Sequence, residues 1–232
     1  MRRLLLPLCV IFLGCESVPD VIAKHRAGVE KSLAAITALS SKVAAVETGS
    51  VEKAKSAPIV LEGNGGSESN AMFIYAEDLP KPGDARPVHL RTLDSAPLLQ
   101  CGSLLMTQKY FGDSVSRPSP SVVEQYLTAC ERLKYVLVIR MLDFTLPELS
   151  LETKQFKSGK YRAEILAFDL QSGEYLGGYT ISAKNEDSVM LLDGDASHVK
   201  RLITNMESTT FTALRDGARQ AFPGSLPATT SR

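Results

Sequence analysis

The sequence has no excess of charge of either sign. Its 26 basic side chains are matched by 26 acidic ones, which gives a formal net charge of zero at pH 7. Proteins that hold a polyanion usually carry a basic field. The balance therefore predicts that nucleic acid is not a partner. The remaining composition, with 44% hydrophobic and 22% charged residues, is that of an ordinary globular protein.

Long apolar runs and catalytic motifs are also missing. No apolar run reaches the roughly 18 residues that a membrane-spanning helix needs. The chain has no phosphate-binding loop, nucleophile elbow, zinc-protease motif or dinucleotide fingerprint, so no catalysis and no cofactor are predicted. Asp193, Asp195 and His198 are compatible with a metal site, but a loop that ends in a helix N-cap at Asp195 accounts for the same residues.

The first residues carry the most specific signal in the chain. Arg2 and Arg3 precede an apolar stretch that ends at Gly14, which is typical of a secretory signal. Gly14 followed by Cys15 resembles the bacterial lipoprotein signal, in which the cysteine is lipidated and becomes the new N-terminus. The resemblance implies a signal peptide over residues 1–14 and a lipid on Cys15 in the cell envelope, at the outer membrane facing the periplasm. A secretory signal cleaved further on, or an uncleaved anchor, is the alternative.

Few cysteines remain after such a signal. Cys101 and Cys130 are an even pair, and the oxidising envelope favours a disulfide between them. Cys130 falls on the apolar face of a predicted helix that opens with a capping box, Ser121 to Glu124. The bond would stabilise the fold by about 3–4 kcal/mol. Two buried thiols are the alternative.

The chain divides into regions of different composition. Apolar residues recur near a 3.6-residue period between residues 19 and 47, which predicts an amphipathic helix. Together with the lipid on Cys15, this helix makes residues 15–47 a tether that packs on a partner or on its own domain. Residues 48–70 are rich in Gly and Ser and predict a flexible linker. The globular domain follows over residues 71–222, and residues 223–232 are expected to form a disordered tail.

The globular region predicts an α+β fold: a mixed or antiparallel sheet of about four to five strands packed by two helices, preceded by the long N-terminal helix. The nearly continuous apolar run from Tyr135 to Leu146 predicts a central strand. The next two strands predict a hairpin around Ser172 and Gly173, with Leu170 opposite Tyr175. The last helix is expected from Ala196 to Ala221.

This order of elements is similar to the small α/β domain of several envelope lipoproteins, including activators of penicillin-binding proteins and the N-terminal domain of the TolB family. The similarity implies an interaction domain. Arg140 in the central strand and Glu164 in the next strand predict a structural ion pair, because a buried arginine needs a partner. An arginine that reads a ligand is the alternative.

The candidate partner surface lies on the strand from Tyr175 to Ala183. Small and polar side chains alternate on one of its faces, together with an aromatic loop, which predicts binding of an envelope protein or a cell-wall polymer by strand addition or an aromatic anchor. A structural role for Gly177 and Gly178 is the competing interpretation. A carboxylate-dependent glycan hydrolase, which needs two facing carboxylates in a cleft, is the alternative function. The candidate residues are Tyr110, Phe111, Leu176, Gly178, Thr180 and Ser182.

Overall fold

The computed structural model describes residues 17–51, 70–82, 119–150, 152, 155–186, 188–189 and 198–222. Three α-helices and six strands lie in these ranges, and the predicted α+β class with a long N-terminal helix is confirmed. The helices are α1 (Val18–Ala45), α2 (Pro120–Glu131) and α3 (His198–Ala221); the strands are β1 (Ala71–Tyr75), β2 (Tyr135–Thr145), β3 (Glu148–Leu149), β4 (Phe156–Lys157), β5 (Lys160–Asp169) and β6 (Tyr175–Lys184).

The main sheet has the strand order β1-β2-β5-β6. β1 is parallel to β2, whereas β2 with β5 and β5 with β6 are antiparallel. β3 and β4 form a separate two-stranded sheet. The apolar run of β2 is buried from Val136 to Ile139, as its composition predicts for an internal strand.

Successive side chains of β2 and β5 point to opposite faces of the sheet, which divides the core into two layers. Val136, Val138, Leu166 and Phe168 pack on one face of the sheet, together with the apolar residues of α1 and α2. Their neighbours in sequence, such as Leu137 and Ile165, point to the other face and pack against α3. Successive side chains of a strand point to opposite faces, so a run that is apolar at every position needs a cover on both.

α1 belongs to the first of these layers. Its buried apolar residues are Val21, Ile22, Val29, Ile36, Leu39 and Val43. The helix therefore packs on its own domain, one of the two arrangements that the sequence leaves open. The chain stays on the sheet beyond the helix, because Val51 packs against the same layer. The remaining predicted linker, residues 52–69, lies outside the described residues.

α2 begins earlier than the capping-box pattern predicts. Its N-cap is Ser119, whose Oγ accepts a hydrogen bond from the backbone N–H of Val122, and Pro120 occupies the first turn. The predicted capping box from Ser121 to Glu124 is therefore wrong, because proline is well suited to the first helical position and moves the start upstream. Glu124 instead forms an ion pair with Lys24 of α1 at 2.5 Å.

α3 covers the second face of the sheet. Its buried stripe includes Leu202, Met206 and Leu214, whereas Val199 in its first turn is 49% exposed. The hydroxyl of Tyr179 on β6 donates to the carbonyl oxygen of Leu214 at 2.9 Å. Burial raises the pKa of Tyr179, so the ring stays neutral and can keep this bond at neutral pH. Helix and sheet are thereby joined near the last turns of α3.

The β5–β6 hairpin departs from its predicted register. Phe168, not Leu170, lies opposite Tyr175, and Ala167 lies opposite Gly177, so the two-residue turn and its pairing are wrong. The connection is longer than two residues, since the N–H of Asp169 donates to the carbonyl oxygen of Glu174 at 3.0 Å. A β-bulge lies between the two pairs, and Gly177 there adopts a φ of 103°. A bulge inserts one extra residue on one strand, and glycine tolerates the positive φ.

Candidate functional site

β6 lies at the edge of the main sheet. In the part of the chain that the structure describes, no strand pairs with its outer side. Thr180 and Ser182 are exposed, while Ile181 between them is buried on the α3 side. Unpaired backbone groups of an edge strand are a template for another extended segment. The structure thus leaves two of the predicted partner residues accessible beside an open edge.

Leu176 and Gly178 do not belong to this accessible surface. Leu176 is 8% exposed and packs in the α3 layer, because the bulge at Gly177 turns it to the other face of the sheet. Gly178 faces Val51, in the segment after α1, and is buried. The single alternating face predicted from Leu176 to Ser182 is therefore wrong in its first half, where a bulge interrupts the two-residue period.

Gly178 has a structural role. A Cβ atom at this position would collide with the carbonyl oxygen of Ile165 and would lie 2.9 Å from Cγ1 of Val51. The backbone oxygen cannot move without disturbing the ladder between β5 and β6. This contact supports the competing interpretation of the glycine, namely that it relieves crowding where the segment after α1 lies on the sheet.

The accessible part of this face is polar and extends onto β5 and β2. Ser182 lies opposite Arg162, and Arg162 lies opposite Asp143. Residues opposite each other in a ladder share a face. Asp143, Arg162, Thr180 and Ser182 are all exposed and are here called the open sheet surface. α1 covers only the half of the face that contains Leu166 and Phe168.

The boundary between the covered and open halves is the Arg140–Glu164 ion pair. Nη2 of Arg140 lies 2.6 Å from Oε2 of Glu164, and Nε donates to the same oxygen at 2.8 Å. Nη1 donates to the carbonyl oxygen of Val46 at 2.6 Å, just after the end of α1. The second carboxylate oxygen of Glu164 accepts from the backbone N–H of Gly49 at 2.6 Å. These bonds confirm the predicted structural pair. They also engage Nε, Nη1 and Nη2 of Arg140, the donors that would otherwise bind a ligand.

A second feature is a groove of about 680 Å³. It lies between α1, the end of α2 and the end of the sheet at which β1 and β2 begin. Its charged lining residues are Lys31, Glu131, Arg132 and Lys134. Oε2 of Glu131 is 2.9 Å from Nδ1 of His25, which is buried. We call this feature the basic groove. Because it is assembled from four distant parts of the chain, no local sequence pattern indicates it.

The carboxylate geometry of a glycan hydrolase is not present in the basic groove. Glu131 is its one acidic lining residue, and a hydrogen bond to His25 already engages it. Within the described ranges, no three His, Cys, Asp or Glu side chains come together to hold a metal ion. The same ranges contain no helix with the length and apolar character to cross a bilayer.

Several predicted residues lie outside the described residues: Cys15, Cys101, Tyr110, Phe111, and Asp193 and Asp195 of the possible metal site. Cys130 lies on α2 with 0% exposure and faces the core, as predicted. Its disulfide with Cys101 stays a prediction.

No protein family model matches the chain, and neither a curated protein nor a solved structure is detectably similar to it.

Proposed function

We propose that the chain is a lipoprotein of the bacterial cell envelope, anchored through a lipid on Cys15 at the outer membrane and facing the periplasm. In this proposal the α+β domain binds an extended segment of another envelope protein. The observation that carries it is that no strand of the described ranges pairs with the outer side of β6, beside exposed Thr180 and Ser182. An extended peptide can add a strand to such an edge through backbone hydrogen bonds. A glycan polymer has no peptide backbone to pair, so a protein partner is favoured.

The position of α1 supports a partner close to the membrane. α1 begins at Val18, only a few residues after the proposed lipidation site, and packs within the domain. The lipid would therefore hold the domain next to the bilayer rather than at the end of a long tether. This favours a partner segment that lies in or near the same membrane.

Replacing Cys15 by Ser is expected to release the protein from the membrane fraction or to leave an unprocessed precursor. The acyl chains supply the hydrophobic binding in this proposal. Cys9→Ser, in the segment that would be removed, is the matched control and should leave membrane association unchanged. Fractionation followed by immunoblotting measures both. A fully processed Cys15→Ser protein that stays with the membranes would contradict the anchor.

Binding through β6 is tested with Thr180→Lys/Ser182→Lys in the native cell. Lysines on an edge strand oppose strand addition, because their charge and bulk disfavour a close neighbouring segment. Both residues are exposed, so the free energy of unfolding should change by less than about 1 kcal/mol. The variant should lose a discrete adduct formed by a photoreactive residue at position 184.

The matched control is Ser208→Lys/Thr212→Lys, which places the same substitutions on exposed positions of α3. It should retain the adduct. Loss of the adduct in both double variants would indicate a general effect of charge, and an unchanged adduct in the β6 variant would eliminate this edge as the binding site.

A further inference from the structure

The basic groove has the dimensions of a ligand site. Its volume of about 680 Å³ falls within the range of roughly 300–1,000 Å³ that is usual for small-molecule sites. Leu133 and Leu170 form apolar parts of its wall and are themselves 8% and 6% exposed. Ser32 and Asn70 add polar groups to the lining. The groove therefore offers both apolar contact and hydrogen bonds.

The cations of the groove have no acidic partner among the described residues. Among the residues that the structure describes, Lys31, Arg132 and Lys134 form no salt bridge, although other basic residues such as Lys24 and Arg140 do. All three side chains belong to exposed residues. Three basic residues and one acidic residue line the groove, which leaves an excess of two positive charges in a chain whose net charge is zero.

The carboxylate of Glu131, which this count already subtracts, faces α1. Its Oε2 faces His25 of α1 at 2.9 Å, and its other oxygen lies against Gly28, where a Cβ atom would collide with it. Both carboxylate oxygens are thus turned towards α1. Lys31 lies about one turn after Gly28 on α1, and Arg132 and Lys134 follow α2, so all three cations line the groove beside a carboxylate that α1 already engages.

We propose that the basic groove binds a phosphate group carried by a molecule with an apolar or sugar moiety. A phosphate monoester has a charge of about −1.5 to −2 at pH 7, which matches the excess of two positive charges better than a single carboxylate does. Arg132 supplies a planar fork that can hold two phosphate oxygens, and the two lysines act as point charges. The apolar wall accommodates the rest of the molecule. This site is separate from β6 and does not depend on the proposed partner.

The ligand has two possible sources with the same chemistry, a lipid headgroup and a soluble phosphate ester. The experiment uses the full chain purified in detergent and titrates it with two probes. One is glycerol 3-phosphate, and the other is mixed micelles that contain phosphatidic acid, a lipid whose headgroup is a phosphate monoester, with phosphatidylcholine micelles for comparison. Saturable binding of either probe is expected. Binding of the first assigns a soluble ester, and binding confined to phosphatidic acid assigns the headgroup.

The decisive variant is Lys31→Gln/Lys134→Gln, for which we expect at least a tenfold increase in Kd. Lys81→Gln/Lys200→Gln removes the same charge from exposed positions that do not line the groove, and its Kd should stay within about twofold of the original value. Arg132→Lys retains the charge but loses the fork, so it should weaken binding by an intermediate factor. Circular dichroism of each variant shows that the fold is retained.

Two results would overturn the proposal: no saturable binding of either phosphate probe, or equal weakening by the two lysine double variants. The adduct formed at β6 should be unaffected by the groove variants. A failure here is therefore distinguishable from a failure of the proposed function.

Discussion

A chain from which residues 17–51 are deleted is expected not to fold. α1 buries Val29 and Ile36 completely, and its removal would expose Val138, Leu166 and Phe168 of the sheet, which have 0% exposure. Burial of one such side chain contributes about 1.5–3 kcal/mol, and a whole domain is stable by only about 5–15 kcal/mol. Deleting α1 removes the burial free energy of six apolar residues, and this loss is as large as the whole free energy of unfolding of a typical domain.

Thermal unfolding by circular dichroism and resistance to proteolysis measure this effect. Deletion of residues 223–232, the predicted tail, is the control and should leave the melting temperature unchanged within about 2 °C. A deletion of residues 17–51 that retains the cooperative transition would show that α1 is a tether and not part of the core.

The sequence was sufficient to predict α1 as a helix but not its position. The 3.6-residue recurrence of Val29, Ile36 and Val43 is a local property, and it gave the bounds to within two residues. What the apolar stripe packs against depends on contacts far apart in sequence, such as that between Arg140 and Val46. A stripe on one helix contains no information about such a partner.

Strand positions were predicted better than strand registers for a similar reason. The apolar run of β2 and the break at Pro147 define that strand locally. The bulges, between Met141 and Asp143 and again beside Gly177, depend on how neighbouring strands fit together. A one-residue insertion exchanges the two faces of a strand, which is why Leu176 was assigned to the wrong side. The basic groove was missed because no segment of the chain contains more than part of it.

Glu164→Gln is expected to lower the free energy of unfolding by about 3–5 kcal/mol, the usual cost of removing one partner of a buried ion pair. Glu164 is 1% exposed, and Arg140 has only 16% of its side chain exposed. The substitution leaves the guanidinium without a counterion, and it weakens the acceptor for the N–H of Gly49. The chain after α1 is held by these bonds, so its attachment to the sheet should loosen as well.

Urea denaturation at pH 7 measures the loss, and the pair between Glu148 and Lys157 provides the control. Their side chains are 73% and 76% exposed, so Glu148→Gln should cost less than about 1 kcal/mol. Arg140→Met/Glu164→Leu should be less destabilised than Glu164→Gln, because it leaves no buried charge unpaired. The amide of Gly49 should exchange its hydrogen faster in Glu164→Gln than in the original chain. Equal costs for Glu164→Gln and Glu148→Gln would mean that this ion pair does not fix α1 to the sheet.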